Sequence, residues 1–179
     1  MELEYLGCKS ESSFYASVSN VDSVSMQGGA FVSAMNLAIL WPTVALASLI
    51  FVVWSILLRK RFAHIAANPP TSADFANAEA VSLYFRPVQR PAQNLANLFE
   101  MPVLYFSLVP LLILTGSASG AQVALAWIFV ALRLAHSVIH IGPNTVRTRA
   151  RFYIASSFVL FAMWVGFIID LLTIIGAGA

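Results

Sequence analysis

Polar side chains recur at helical spacing inside segments of this sequence that are otherwise apolar. One stripe consists of Arg90, Gln93, Asn97 and Glu100, and a second consists of Arg133, His136 and His140. Spacings of three and four residues place the members of each stripe on one helical face. Arginine recognises carboxylates, glutamate accepts from an ammonium group, and histidine exchanges protons near neutral pH. Because ionisable residues within a membrane are costly, the stripes indicate a binding or reaction site.

Two other interpretations of the stripes stay open. A Glu100–Arg133 ion pair would only fix the packing of two helices. His136 and His140 could ligate a metal with Glu100, but that spacing is common by chance and further carboxylates are missing, so we expect no metal. The lone Cys8 excludes an internal disulfide and a cysteine-based metal cage. A thiol in the mechanism would therefore come from a ligand.

The elements that must position the stripes are membrane-spanning helices. Of the 179 residues, 59% are hydrophobic and only 10% are charged, against about 25% charged in a soluble domain. A bilayer core of about 30 Å requires roughly 20 apolar residues per helix. Four such runs occur, at 37–58, 95–114, 121–141 and 154–175. They are continuous rather than alternating, which argues against a membrane barrel. The sequence predicts an all-α, four-helix membrane domain over residues 35–179.

Charge sets the predicted orientation. Basic residues concentrate in the first connection, at Arg59, Lys60, Arg61, Arg86 and Arg90, and in the third, at Arg147, Arg149 and Arg151. Such connections face the cytoplasm, so both termini are expected outside it. Both stripes then lie near the cytoplasmic face, where Asn144, Arg147 and Arg151 crowd the entrance of the fourth helix. We interpret Arg59, Lys60, Arg61 and Arg149 as topology anchors that extend toward lipid headgroups.

The scattered basic residues form no basic face, so nucleic acid is not an expected partner. Alanine-rich helices and short outer connections favour a bacterial inner membrane. Residues 1–34 are rich in serine and lack hydrophobic periodicity, so we predict disorder there. This segment does not have the pattern of a signal peptide. We expect the native chain to begin at Met35, where the composition changes.

Two motifs resemble the MAPEG family, the membrane-associated proteins of eicosanoid and glutathione metabolism. The first is Asn-x-x-Glu closely followed by proline, within Gln93 to Pro102; the second is Arg-x-x-His with a further histidine, within Arg133 to His140. The resemblance covers about residues 37–175. It implies a homotrimer of four-helix bundles, with glutathione bound as co-substrate in clefts between subunits near the cytoplasmic face.

The resemblance also implies residue roles. Asn97 and Glu100 match residues that contact glutathione, and the glutamate would accept from the amino group of the tripeptide. Arg133 and His136 match positions that brace the cleft. The thiolate-stabilising arginine falls in the region of Arg147 to Arg151, and the best match is Arg147, seven residues after His140.

Two positions depart from the family pattern. His140 stands where characterised transferases commonly have tyrosine, and Gln93 stands where they have arginine, a role that Arg90 can take over from one turn earlier. These departures are typical of a bacterial-type branch without a settled substrate.

The resemblance thus implies a glutathione transferase or peroxidase. An arginine-stabilised thiolate, assisted by His140, would attack an apolar electrophile or a lipid hydroperoxide that arrives from the membrane lipid. The alternative is a non-enzymatic membrane scaffold or partner protein of the same family, in which the polar residues only fix helix packing.

Overall fold

The computed structural model of the protein describes residues 37–178, whose regular structure is helical. The α-helices are α1 (Leu40–Ala67), α2 (Ala78–Phe85), α3 (Arg90–Leu98), α4 (Met101–Leu114), α5 (Gly120–Ile141) and α6 (Val146–Gly178). Two short 3₁₀-helices, Ser72–Phe75 and Arg86–Val88, flank α2. The predictions of disorder in residues 1–34 and of a start at Met35 lie outside the described residues.

Four segments are long and apolar enough to cross a membrane. They are α1, the α3–α4 segment Arg90–Leu114, α5, and α6 over Val146–Ala177. Large apolar side chains cover their outer faces; Trp41, Phe51 and Phe158 are each more than two-thirds exposed. Lipid must cover such surfaces, because the exposure of so much apolar area to water is unfavourable. The predicted all-α fold with four spanning helices is confirmed, and the protein is a multi-pass integral membrane protein.

Two helices are longer than the apolar runs that predicted them. α1 continues to Ala67, beyond the predicted end at 58, and α6 begins at Val146 instead of 154. Hydropathy marks only the part of a helix that lies in lipid, whereas arginine and lysine are good helix formers and allow the helix to continue. Arg147, Arg149 and Arg151 therefore lie in the first turns of α6 and not in the third connection.

The second spanning segment is broken where the first stripe ends. α3 ends at Leu98, α4 begins at Met101, and Glu100 between them has φ −84° and ψ −87°. Pro102 in the first turn of α4 has no N–H to donate and cannot continue a preceding helix. Glu100 thus lies at a junction, and the first stripe does not follow one continuous helix.

The core lies among α1, α4, α5 and α6, and α5 packs most extensively against α6. Tyr105 and Phe129 stack with ring centroids 5.2 Å apart at its centre. The Tyr105 hydroxyl also lies 3.0 Å from the hydroxyl of Thr43. This packing joins α4 to α5 and to α1 and fixes the positions of the three helices relative to one another.

The connections 68–89 and 142–145 lie at one end of the bundle, here called the basic end. There the Arg61 guanidinium lies 4.8 Å above the Phe85 ring, and the His64 Nε2–H donates to the Tyr84 carbonyl over 2.9 Å. Arg61 is therefore engaged by α2 and is not a free topology anchor. The backbone N–H and hydroxyl of Thr71 donate to the Asp74 carboxylate, which lowers the pKa of Asp74.

Candidate functional site

A polar cluster lies at the basic end where α3 and α5 meet α6. Its buried members, each at most 3% exposed, are Asn94, Arg133, His136, Ser137 and His140. The Ser137 hydroxyl donates to Asn94 Oδ1 across 3.4 Å and joins α5 to α3. The bundle thus buries the whole second stripe between its own helices, at the depth where the first stripe lies.

Arg133 is fully buried and forms no ion pair with another residue in the part of the chain that the structure describes. Its guanidinium carbon lies 4.7 Å from the Tyr153 ring and 5.3 Å from the Phe129 ring. All three of its side-chain nitrogens are without a hydrogen-bond partner among the described residues. The Glu100–Arg133 ion pair of the alternative interpretation does not form. Aromatic faces stabilise the cation instead.

Tyr153 connects Arg133 with Glu100. Its hydroxyl donates to Glu100 Oε2 over 2.9 Å, while its ring faces Arg133. The carboxylate of Glu100 is therefore held in one direction by α6 while the residue stays exposed at the surface of the bundle. A carboxylate that is oriented but open can accept a donor from a ligand.

The two histidines of the cluster have different partners. The Arg149 carbonyl lies 2.9 Å from His136 Nδ1. Because a carbonyl can only accept, Nδ1 carries the proton and donates it, and in the neutral ring Nε2 then carries the lone pair. The His136 and His140 rings are 5.5 Å apart. No group of three His, Cys, Asp or Glu residues able to hold a metal ion occurs within residues 37–178. The alternative of a metal held by these histidines and Glu100 finds no support.

The three arginines of α6 lie on two faces of the helix, Arg147 and Arg151 on one and Arg149 on the other. Arg149 is half-buried and its Nη1 donates to Asn144 Oδ1 over 2.8 Å, whereas Arg147 and Arg151 are exposed. At 3.6 residues per turn, positions four apart share a face and the position between them lies opposite. Arg149 is consequently not a headgroup anchor but a residue directed at the cluster. Asn144 adopts the left-handed conformation, with φ 54°.

The remaining predicted site residues lie on α3. Arg90 Nη1 donates to the Gly142 carbonyl over 3.0 Å and so caps the C-terminus of α5. Gln93 is exposed and Asn97 is half-buried. The first stripe thus meets the helix of the buried second stripe at two points, through Arg90 at the end of α5 and through the Tyr153 link from Glu100 to Arg133.

Three contributors were not predicted as site residues: Asn94, Ser137 and Tyr153. Asn94 lies four residues after Arg90 and three before Asn97, so the spacing that defined the first stripe fits it as well as the neighbouring Gln93, and only its burial singles it out. Ser137 follows His136 directly and is inconspicuous in an apolar helix. Tyrosine is ordinary at a membrane interface, so the sequence held no signal that Tyr153 would join Glu100 to Arg133.

The fold and this site define a helical membrane protein with an oriented carboxylate and several arginines at one end. Such a set suits a polar ligand that carries both ammonium and anionic groups. The chain belongs to the MAPEG family, whose model matches residues 39–169, well over half of the chain. No curated protein and no solved structure shows a significant match to it. The resemblance seen in the motifs is thereby confirmed at the level of the family.

Proposed function

We propose that the protein is a glutathione-dependent membrane transferase or peroxidase. The observation that carries this proposal is the exposed Glu100 carboxylate, which Tyr153 orients at the basic end within the family's glutathione motif. Glu100 accepts from the amino group of glutathione, and the half-buried Asn97 contacts the tripeptide beside it. The exposed Arg147 and Arg151 pair with its carboxylates.

The thiolate requires a cation in a setting of low polarity. A free thiol has a pKa of about 8.5, and lowering it to about 7 takes roughly 2 kcal/mol of differential stabilisation of the anion. Arg149 is better suited than Arg147, because it is half-buried and pre-oriented by Asn144. A fixed, partly desolvated charge stabilises an anion more than a solvated one does. Arg147, the better match by sequence, is the rival for this role.

The reaction follows from the position of the site. The thiolate attacks an apolar electrophile that enters from the lipid, or reduces a lipid hydroperoxide and is oxidised in turn. His140 is only 1% exposed, so it supports the site from behind its wall and does not reach the sulfur. Arg133 and His136 hold the walls of the site, and a homotrimer completes the cleft.

The test is the ultraviolet absorbance of the bound thiolate against pH, in detergent-solubilised protein saturated with glutathione. Arg149→Ala should move the titration to higher pH, because the anion loses its nearest fixed charge. Arg147→Ala should leave it nearly unchanged. Glu100→Gln should mainly weaken binding, because its contact is the same in ground and transition states.

S-methylglutathione is the control ligand, since it binds without a titratable thiol. A ligand at 100 times its Kd adds about 2.7 kcal/mol to stability, so glutathione should raise the Tm. Absence of both stabilisation and a thiolate signal would reject the proposal in favour of the non-enzymatic scaffold. If only Arg147→Ala shifts the titration, Arg147 and not Arg149 stabilises the thiolate.

A further inference from the structure

The short connection between α5 and α6 contains a residue in the left-handed backbone conformation, Asn144, with φ 54°. Asparagine and aspartate adopt this conformation more readily than other residues with a β-carbon do. The backbone N–H of Asn144 donates to the Ile139 carbonyl over 2.7 Å and so caps the C-terminus of α5. Pro143, directly before it, has a fixed φ. The backbone of the connection is thus fixed without a contribution from the Asn144 side chain.

The Asn144 side chain makes a separate contact, with Arg149 in the first turns of α6. Its Oδ1 accepts from Arg149 Nη1 over 2.8 Å. The orientation of the amide follows from its chemistry, because the amide NH₂ group and the guanidinium are both donors and cannot face each other. Both residues are half-buried, so water competes less for this hydrogen bond than it would at an exposed position.

Arg149 is held at a second point, through its main chain. The His136 Nδ1–H donates to the Arg149 carbonyl over 2.9 Å, and the backbone N–H of Arg149 donates to the Thr145 carbonyl over 3.0 Å. The main chain of Arg149 is therefore fixed by α5 and α6, and its guanidinium is fixed by the connection. An arginine side chain loses much rotamer freedom when it is ordered, and here it is ordered before a ligand binds.

The side-chain acceptor for Arg149 is a neutral amide and not a carboxylate. A carboxylate at the same place would form an ion pair with the guanidinium and would oppose its effect on a bound anion. The amide orients the guanidinium without adding a negative charge. A guanidinium has several N–H donors, and this hydrogen bond engages only one of its nitrogens, Nη1. An oriented arginine with its charge intact suits the stabilisation of a ligand anion.

We propose that Asn144 is a positioning residue for the bound thiolate: it holds the Arg149 guanidinium in place and leaves the positive charge of that group intact. The inference rests on the proposed function, in which Arg149 stabilises the sulfur anion. It adds that the acceptor for Arg149 must be uncharged. Aspartate has nearly the same shape, can accept the same hydrogen bond and tolerates the same left-handed conformation, so charge is the main difference between the two residues here.

The experiment is a pH titration of the bound thiolate by ultraviolet absorbance, with the full chain in detergent and saturated with glutathione. Asn144→Asp should move the midpoint about one pH unit higher, because a negative charge close to the thiolate and to Arg149 disfavours the anion, and should not lower the Tm. Asn144→Gly keeps the backbone conformation but lacks the acceptor, and should move the midpoint upward by less. Asn77→Asp is the matched control, because it adds the same charge at an exposed position of the same end, where it can still accept from the Ala80 N–H.

An unchanged midpoint in Asn144→Asp, or an equal shift in Asn77→Asp, would overturn the proposal. In an Arg149→Ala background, Asn144→Gly should cause no further shift. A full further shift there would show that Asn144 does not act through Arg149, and would also overturn the proposal. If Arg149→Ala moves the midpoint and no Asn144 variant does, this inference fails while the proposed function stands. The absence of a thiolate signal from wild type would reject both.

Discussion

Tyr153 has two functions that reside in different atoms. Its hydroxyl orients Glu100, whereas its ring covers the buried guanidinium of Arg133. Hydrogen bonds to a charged group contribute about 1.5–3 kcal/mol, and a desolvated cation–π contact contributes about 2 kcal/mol. The two contributions can therefore be separated by substitution.

Tyr153→Phe should weaken glutathione binding by roughly tenfold, within the range of a lost hydrogen bond to a charged acceptor, and should leave thermal stability nearly unchanged. Tyr153→Ala should weaken binding and also lower the Tm, because Arg133 loses an aromatic face. Isothermal titration calorimetry and thermal unfolding in detergent measure the two effects. Wild-type affinity in Tyr153→Phe would show that Glu100 does not need this donor.

At the scale of elements, α5 and α6 depend on a close contact at Gly166. The Gln122 Nε2 donates to the Met163 carbonyl over 3.0 Å, and a Cβ at Gly166 would lie 2.9 Å from that nitrogen. Gly166→Ala should therefore displace the buried amide and destabilise the bundle by about 1–3 kcal/mol. Thermal unfolding measures this. In a Gln122→Ala background, Gly166→Ala should lower the free energy of unfolding much less. Equal losses in both backgrounds would show that the contact with Gln122 is not the cause.

The 3₁₀-helix Ser72–Phe75 depends on the charge of Asp74. Thr71 lowers the pKa of Asp74 below its ordinary value of 3.8 by donating to the carboxylate. A lowered pKa stabilises the fold above the unfolded-state value, and this stabilisation is lost as pH falls through the folded-state value. Amide hydrogen exchange at Thr71 should therefore accelerate at acid pH beyond the ordinary chemical trend. In Asp74→Asn the Thr71 amide should exchange fast already at neutral pH. Equal protection of this amide in both proteins would show that the charge of Asp74 does not hold the 3₁₀-helix.

At the scale of the whole molecule, the exposed polar residues of the basic end need a neighbour. Glu100 and Arg147 lie on the outer surface near lipid-facing apolar side chains, and charges toward hydrocarbon are costly. We expect a homotrimer whose clefts cover these residues. Native mass spectrometry in detergent should detect three chains per complex, and Glu100→Gln should not dissociate it. Monomers or dimers alone would contradict this assembly.

Hydropathy and spacing were enough to predict the number of spanning helices, their order and the common depth of the two stripes. These properties depend on local sequence, because each apolar run must match the same bilayer thickness. The break at Glu100 likewise follows from Pro102, a local restriction. Residue spacing also predicted the single face of the second stripe on α5, whereas the break at Glu100 interrupts the first stripe.

The rotation of each helix against its neighbours was decided only in the folded bundle. The contact between α5 and α6 joins His136 to the Arg149 carbonyl and brings Tyr153 between Glu100 and Arg133. Neither the composition of the chain nor the rule that basic residues face the cytoplasm distinguishes among the three arginines of α6. Which one is buried depends on long-range packing of side chains distant in sequence, and that packing leaves no periodic signal in the chain.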